Sequence, residues 1–261
     1  MQIEKGKIYA VITGDIVESS ELSAGARMAL FDTMRKIGDE LARWLGPEVM
    51  PLPLDIFSGD SWQLLLADPS RALDAAVFYR AGLSAAMGAK KSKHKGDTRL
   101  SIAIGEIDFV PGHRVSEGEG WAFRESGRPL ADKSAAHRML LRMQYPPHWN
   151  LWPTPYPTEA MRLRAVKQYL SHQDGWQMAV ILLDVILQRR LTPARATSIK
   201  GALQGLGQRE IGELTNPPIS QPSVARNLKS IEWETISECL QEFANQWNKD
   251  ATGRERIHTN T

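Results

Sequence analysis

Two aspartates, Asp15 and Asp60, stand 45 residues apart, each directly after a glycine. Carboxylates brought within a few ångström of each other repel and raise each other's pKa, so such a pair holds a divalent cation or shares a proton. The chemistry depends on whether the chain brings them together. Asp15 follows Tyr9 to Gly14, a run of β-formers and small residues that reads as a buried strand stopping in a turn. Binding sites collect at such strand ends, where loops are open to solvent but held by a rigid scaffold. Asp15 could equally cap the helix that begins near Leu22, a role open also to Ser19 and Ser20. Asp60 closes Ser58-Gly59-Asp60, between the extended Met50 to Phe57 and the alternating, then apolar, Ser61 to Leu66. That pattern predicts a hairpin with Gly-Asp at its tip, and neighbouring strands would set both carboxylates at one edge of a sheet.

The strand, the turn Gly14-Asp15-Ile16-Val17-Glu18-Ser19-Ser20, a long helix and the Gly59-Asp60 hairpin together resemble the catalytic domain of class III nucleotidyl cyclases. Arg99 to Glu106 resembles the strand before that family's dimerisation arm, and Gly120 to Arg128 its Gly-x-x-x-Asn-x-x-x-Arg helix. The resemblance spans roughly residues 6 to 140. It implies Mg²⁺ or Mn²⁺ at Asp15, the adjoining Ile16 and Asp60, holding a nucleoside triphosphate and activating its 3′-hydroxyl. It further implies that Arg128 stabilises the transition-state phosphate and that Glu117 reads the base. Arg124 stands where the family has a ribose-orienting Asn, and Ile56 where an adenine-reading Lys is expected. Metal aspartates and arginine come from different protomers in that arrangement, so a head-to-tail homodimer is implied. A guanidinium suits the role because it stays charged and binds phosphate bidentately. The plainer alternative is that Arg124 or Arg128 pairs with Glu125 or another surface acid. Joined to a C-terminal helix-turn-helix, the Gly-Asp-Ile-Val-x-Ser-Ser variant most resembles the SatD family.

The positioning elements follow from periodicity. Leu30, Phe31, Met34, Ile37, Leu41 and Trp44 recur at helical spacing and predict an amphipathic helix over Leu22 to Leu45, ended by Gly46-Pro47. A second helix opens at Pro69-Ser70 and runs to about Met87, and a strand returns over Arg99 to Phe109. This order predicts an α/β (α+β) sandwich, ferredoxin-like and nucleotidyl cyclase-like, followed by an all-α helix-turn-helix domain. The lysine-dense 88–97 stretch reads as a solvated loop whose lysines could also contact phosphate. Five prolines between Tyr145 and Pro157 mark a linker, dividing a domain at 1–144 from a helical one at 158–247, with a disordered tail at 248–261.

Within the helical part, Thr158 to Ser171 and Gly175 to Gln188 read as two helices with a turn at Ser171 to Gly175, and a third starts at Thr192-Pro193. Gly207 to Thr215 and Ile219 to Lys229 look like the two helices of a helix-turn-helix, crossing through Ile211, Leu214, Ile219, Val224 and Leu228. Ser220 would cap the second, leaving Gln221, Ser223 and Arg226 to face a DNA major groove. From Arg189 to Lys229 seven basic residues face only Glu210 and Glu213, a modest footprint for a polyanion.

Composition sets the outer limits. With 261 residues, 42% apolar and 24% charged, the chain can bury one large or two ordinary cores. No apolar run approaches the ~20 residues of a membrane span, and the N-terminus has no signal-like segment, so a cytoplasmic protein is expected. A single cysteine, Cys239, rules out an intrachain disulfide and reads as a packing residue. Three functions fit these features: a nucleotide- and metal-responsive DNA-binding regulator, which the motifs favour; an active nucleotidyl cyclase; and a non-catalytic interaction scaffold.

Overall fold

The computed structural model describes residues 4, 7–88, 96–132, 134, 136–144 and 159–258, the side chains of 87–88, 159–173 and 248–258 excepted. One mixed five-stranded sheet organises the N-terminal half. Its strands are β1 (Tyr9–Ile16), β2 (Asp55–Phe57), β3 (Ser61–Leu66), β4 (Thr98–Gly105) and β5 (Met139–Met143), in spatial order β2-β3-β1-β4-β5. β1 lies centrally and antiparallel to both β3 and β4, while β5 runs parallel to β4. β5 has no counterpart in the sequence reading, because five residues after a turn-rich stretch leave too little alternation to register.

Strand alternation sorts the two faces. Ala10, Ile12, Leu64 and Ile102 join the core beneath α1 (Ala24–Leu45) and α2 (Ala72–Gly88). Tyr9, Val11, Leu65 and Ala103 pack on the opposite face against Ala122 and Phe123 of a short helix, α3 (Trp121–Gly127), and against Ile107, Val110 and Val115. The buried stripe of α1 is Leu30, Met34, Ile37 and Leu41, each contributing on the order of 1.5–3 kcal/mol of apolar burial. Its N-cap is Ser23, which accepts from the Ala26 amide at 3.3 Å. The capping role open to Asp15, Ser19 and Ser20 is thus taken by another residue.

The C-terminal portion is helical: α4 (Glu159–Arg190), α5 (Pro193–Leu203), α6 (Gln208–Glu213), α7 (Gln221–Ser230) and α8 (Trp233–His258). Two expectations change here. The turn at Ser171 to Gly175 is instead part of one continuous α4, and α8 continues past Asn248, where a disordered tail was expected. Val180, Leu183 and Leu187 of α4 are buried, and this packing outweighs the weak helix preference of Gly175. Val180, Leu187, Ile199, Ile236 and Phe243 belong to the same core as Ile12, Met34 and Phe78, so the helices share the core of the sheet rather than forming one apart from it. The lysine-dense 89–95 segment and the proline-rich 145–157 segment lie outside the described residues. Among those described, no helix is long and apolar enough to cross a membrane.

A buried ionic cluster joins the two portions. Arg80 of α2, fully buried, donates to Asp97 just before β4 at 2.7 and 3.0 Å and to Asp184 of α4 at 2.6 Å. Arg138, just before β5, donates its backbone amide to Asp184 at 2.7 Å and its guanidinium to Asp97. Burial opposes ionisation of Asp97, but Arg80 and Arg138 outweigh it and hold the carboxyl below its ordinary range.

Candidate functional site

A cleft of about 1150 Å³ opens where β1 ends, and Asp15 and Asp60 both line it. The register explains the meeting. Asp15 pairs with Ser61 of β3 on one side and Arg99 of β4 on the other, and Asp60 immediately precedes Ser61. Gly14 permits the close approach of the strands, since a Cβ there would sit 2.5 Å from the Trp62 ring and 2.7 Å from the Arg99 carbonyl. Thr98 pins the strand end by donating to the Asp15 carbonyl at 2.7 Å, and it accepts from the Trp62 indole at 3.0 Å.

Each carboxylate has a partner. Arg99 grips Asp15 with two nitrogens, one at 2.9 Å, and the Ser19 hydroxyl donates to Asp60. Arg124 and Arg138 also line the cleft, so three guanidinium groups share it with the carboxylates. Glu18 and Glu119 add two further acids to the cleft lining, which makes four carboxylates with Asp15 and Asp60. The loop over the opening is held by Asp55 of β2, which accepts from the Ser116 amide at 3.0 Å, the Ser116 hydroxyl at 2.6 Å and Arg114 at 3.3 Å. Burial works against ionisation of Asp55, yet these hydrogen bonds prevail and hold its carboxyl below the ordinary value. Gly120, which follows that loop, has φ +131°, and a Cβ there would sit 2.6 Å from the backbone of Ile107 and Asp108, so the entry to α3 requires glycine.

The sheet face under the cleft grades from apolar to charged. Tyr9 and Val11 are buried among apolar neighbours, Thr13 pairs with Gln63 and Ser101, and Asp15 pairs with Ser61 and Arg99. Gln63 donates to the Thr13 hydroxyl at 2.8 Å, and Thr13 lies 2.7 Å from the Ser126 hydroxyl of α3.

The other expected site residues fall in different places. Ile16 lines the cleft, but its side chain belongs to the buried core, so only its backbone could meet a ligand. Ile56 pairs with Trp62 and packs against the helix-covered core; alternation turns Asp55 and Phe57, rather than Ile56, to the cleft face. Glu117 is exposed, pairs with Arg114 at 3.6 Å and does not line the cleft. Arg128 lies just beyond α3, where its side chain is 66% exposed and pairs with Glu125 at 2.7 Å. Arg99, at the head of β4, and Arg138, just before the short β5, carry no signal in their own segments that would assign them to the cleft. Gln63 likewise carries only the alternation of a hairpin strand.

In the helical part, α6 and α7 cross through Ile211, Val224 and Leu228 with Ile219 beside them, while Leu214 stands 70% exposed. The α6 helix ends at Glu213, which turns Leu214 away from the crossing. Ser220 occupies the N-cap position of α7 without a side-chain cap bond; its hydroxyl pairs with that of Ser223 at 3.0 Å. Arg226 donates to Ser223 at 3.1 Å, and Gln221 is exposed beside them, so the four side chains form one surface.

As for a metal, no cluster of three or more His, Cys, Asp or Glu side chains among the described residues is placed to hold one. Asp15 and Asp60 in the cleft nevertheless fit Mg²⁺ or Mn²⁺ by donor type, because such ions take hard oxygen ligands and need only one or two protein carboxylates when phosphate and water complete the shell.

No protein-family model matches the sequence, and no curated protein matches it. Among solved structures it is similar to a bacterial light-regulated adenylyl cyclase, at 13% identity over 51% of this chain and 74% of that chain, with a TM-score of 0.39. It is also similar to the guanylate cyclase domain of RhGC from Catenaria anguillulae in complex with GTP, at 18% identity, 52% and 78% coverage and a TM-score of 0.35. The adenylyl cyclase CyaB from P. aeruginosa matches at 18% identity, 52% and 76% coverage and a TM-score of 0.35.

Proposed function

We propose that the cleft binds a nucleoside triphosphate together with a divalent cation, and that the helical portion converts this binding into a change in DNA binding. The observation that carries the reading is the convergence of Asp15 and Asp60 with Arg99, Arg124 and Arg138 in one cleft at the strand ends. Carboxylates and guanidinium groups lining one cleft suit a cation bound to a polyphosphate, where each charge meets its opposite. Asp15, Asp60 and the Ile16 carbonyl would hold Mg²⁺ or Mn²⁺, which neutralises phosphate charge when bound; Arg99 would exchange Asp15 for a phosphate oxygen. Ser220, Gln221, Ser223 and Arg226 would meet DNA. In a head-to-tail homodimer Arg128 and Glu117, which lie outside the cleft of their own chain, would serve a second copy's cleft.

Turnover to a cyclic nucleotide is the second reading: Asp15 and Asp60 in the cleft speak for it, while Arg124 in place of a ribose-orienting Asn and Ile56 in place of a base-reading Lys speak against it. The test is incubation with each of the four ribonucleoside triphosphates and Mn²⁺, with calorimetry for binding and chromatography for product. Metal-dependent binding that Asp60→Ala abolishes is expected. Cyclic product lost in the same variant makes the protein an enzyme, whereas no heat with any of the four overturns the nucleotide reading.

A further inference from the structure

Beneath the two aspartates lies a polar relay whose direction can be counted out. Ser126 donates its only hydroxyl proton to the Phe123 carbonyl at 3.0 Å. Toward Thr13, 2.7 Å away, Ser126 can then only accept, so Thr13 spends its single proton there. Thr13 is left as an acceptor for Gln63, which must present its NH₂ to it, at 2.8 Å. The relay thus fixes which way round the amide sits, and Gln63 Oε1 is turned away from Thr13. That oxygen has no hydrogen-bond partner among the described residues, although Gln63 is only 6% exposed and lines the cleft. A buried acceptor without a partner is costly, and a ligand that supplies a donor removes the cost.

We infer that Gln63 is a specificity-determining residue: its Oε1 accepts an N–H or O–H from the bound ligand, and Thr13 and Ser126 position it. Gln63 pairs with Thr13, two residues before Asp15 on β1 and hence about 7 Å from it along the strand. The donor therefore belongs to the ribose or base of a nucleotide whose phosphates sit at the aspartates, a statement that rests on the nucleotide reading above. A site built to hydrogen-bond a donor rejects the analogue lacking it more strongly than an apolar pocket rejects a size change.

The test compares matched triphosphates that differ by one donor, each titrated calorimetrically with Mn²⁺. GTP against ITP removes the 2-amino group, ATP against purine riboside triphosphate removes the 6-amino group, and ATP against its 2′-deoxy and 3′-deoxy forms removes each hydroxyl. Wild-type protein should prefer the donor-bearing member of at least one pair by roughly 5- to 100-fold. Gln63→Met, which keeps the shape and removes the acceptor, should bring that ratio near one while retaining the donor-less analogue. Ser126→Ala frees the Thr13 proton, lets the amide turn over and should lower the same ratio without altering any group named here as a ligand contact. Triphosphate binding with the ratio unchanged in both variants, or with no preference in the wild type, overturns the assignment of Gln63 alone. Absence of binding to every triphosphate overturns it together with the nucleotide reading.

Discussion

Arg99 holds Asp15 with two nitrogens, and that pairing decides how the cleft meets a ligand. A carboxylate already bound to a guanidinium gives it up only for a stronger cation, while the released guanidinium needs an anion; a metal–polyphosphate supplies both at once. Arg99→Met should therefore act in opposite directions on the two components. We expect triphosphate binding to weaken by roughly tenfold or more. Mn²⁺ binding in the absence of nucleotide should strengthen, because Asp15 loses its competitor, and calorimetry of each ligand separately would read both. Equal weakening of both would mean that Arg99 only supports the strand. Asp15 and Asp60 were legible in the sequence because both follow a glycine at the end of an extended run. Arg99, Arg138 and Gln63 were not, since each is ordinary in its own segment and becomes part of the cleft only through the pairing of β3, β1, β4 and β5.

Among the elements, strands and helices with several turns of regular burial were readable, and the short or continuous ones were not. The stripe of α1 and the Gly59-Asp60 hairpin fall where the periodicity placed them, whereas β5 is too brief to announce itself and α4 runs through a glycine on the strength of its packing. The α6–α7 crossing depends on Gly212, where a Cβ would meet the Ile219 carbonyl at 2.3 Å and Val224 at 3.6 Å. Gly212→Ala must push the two helices apart, at a cost of about 1–3 kcal/mol. Urea unfolding should report that loss, and binding to duplex DNA should fall while triphosphate binding stays at its wild-type level. Parallel loss of both ligands would show instead that the whole chain had unfolded.

Across the whole molecule, the cleft and the helical portion meet at the buried cluster of Arg80, Asp97, Asp184 and Arg138. Arg138 lines the cleft and holds Asp97, Asp97 holds Arg80, and Arg80 holds Asp184 of α4. A ligand that draws Arg138 toward phosphate would thus disturb a contact of α4. Replacing Arg80 by Met leaves Asp97 and Asp184 facing each other with less compensation, and we expect a loss of about 3–5 kcal/mol by denaturant unfolding. Acid has a related effect with a defined sign. The folded-state pKa of Asp97 lies below its unfolded value, near 3.8. Its contribution to stability is therefore complete above that value and disappears as pH falls through the lower, folded pKa. Thermal melts below pH 4 should show a steeper decline in wild-type protein than in Asp97→Asn, and parallel declines would remove Asp97 as the cause.

The most direct measurement of the central claim is an electron paramagnetic resonance titration of Mn²⁺ with the whole 261-residue chain, with and without nucleoside triphosphate. The free Mn²⁺ signal should fall further when protein and triphosphate are both present than the triphosphate alone accounts for, and Asp15→Asn with Asp60→Asn should abolish the difference. A free-ion signal that the protein leaves unchanged, or one that falls equally in the double variant, would contradict a metal–nucleotide site between these two aspartates.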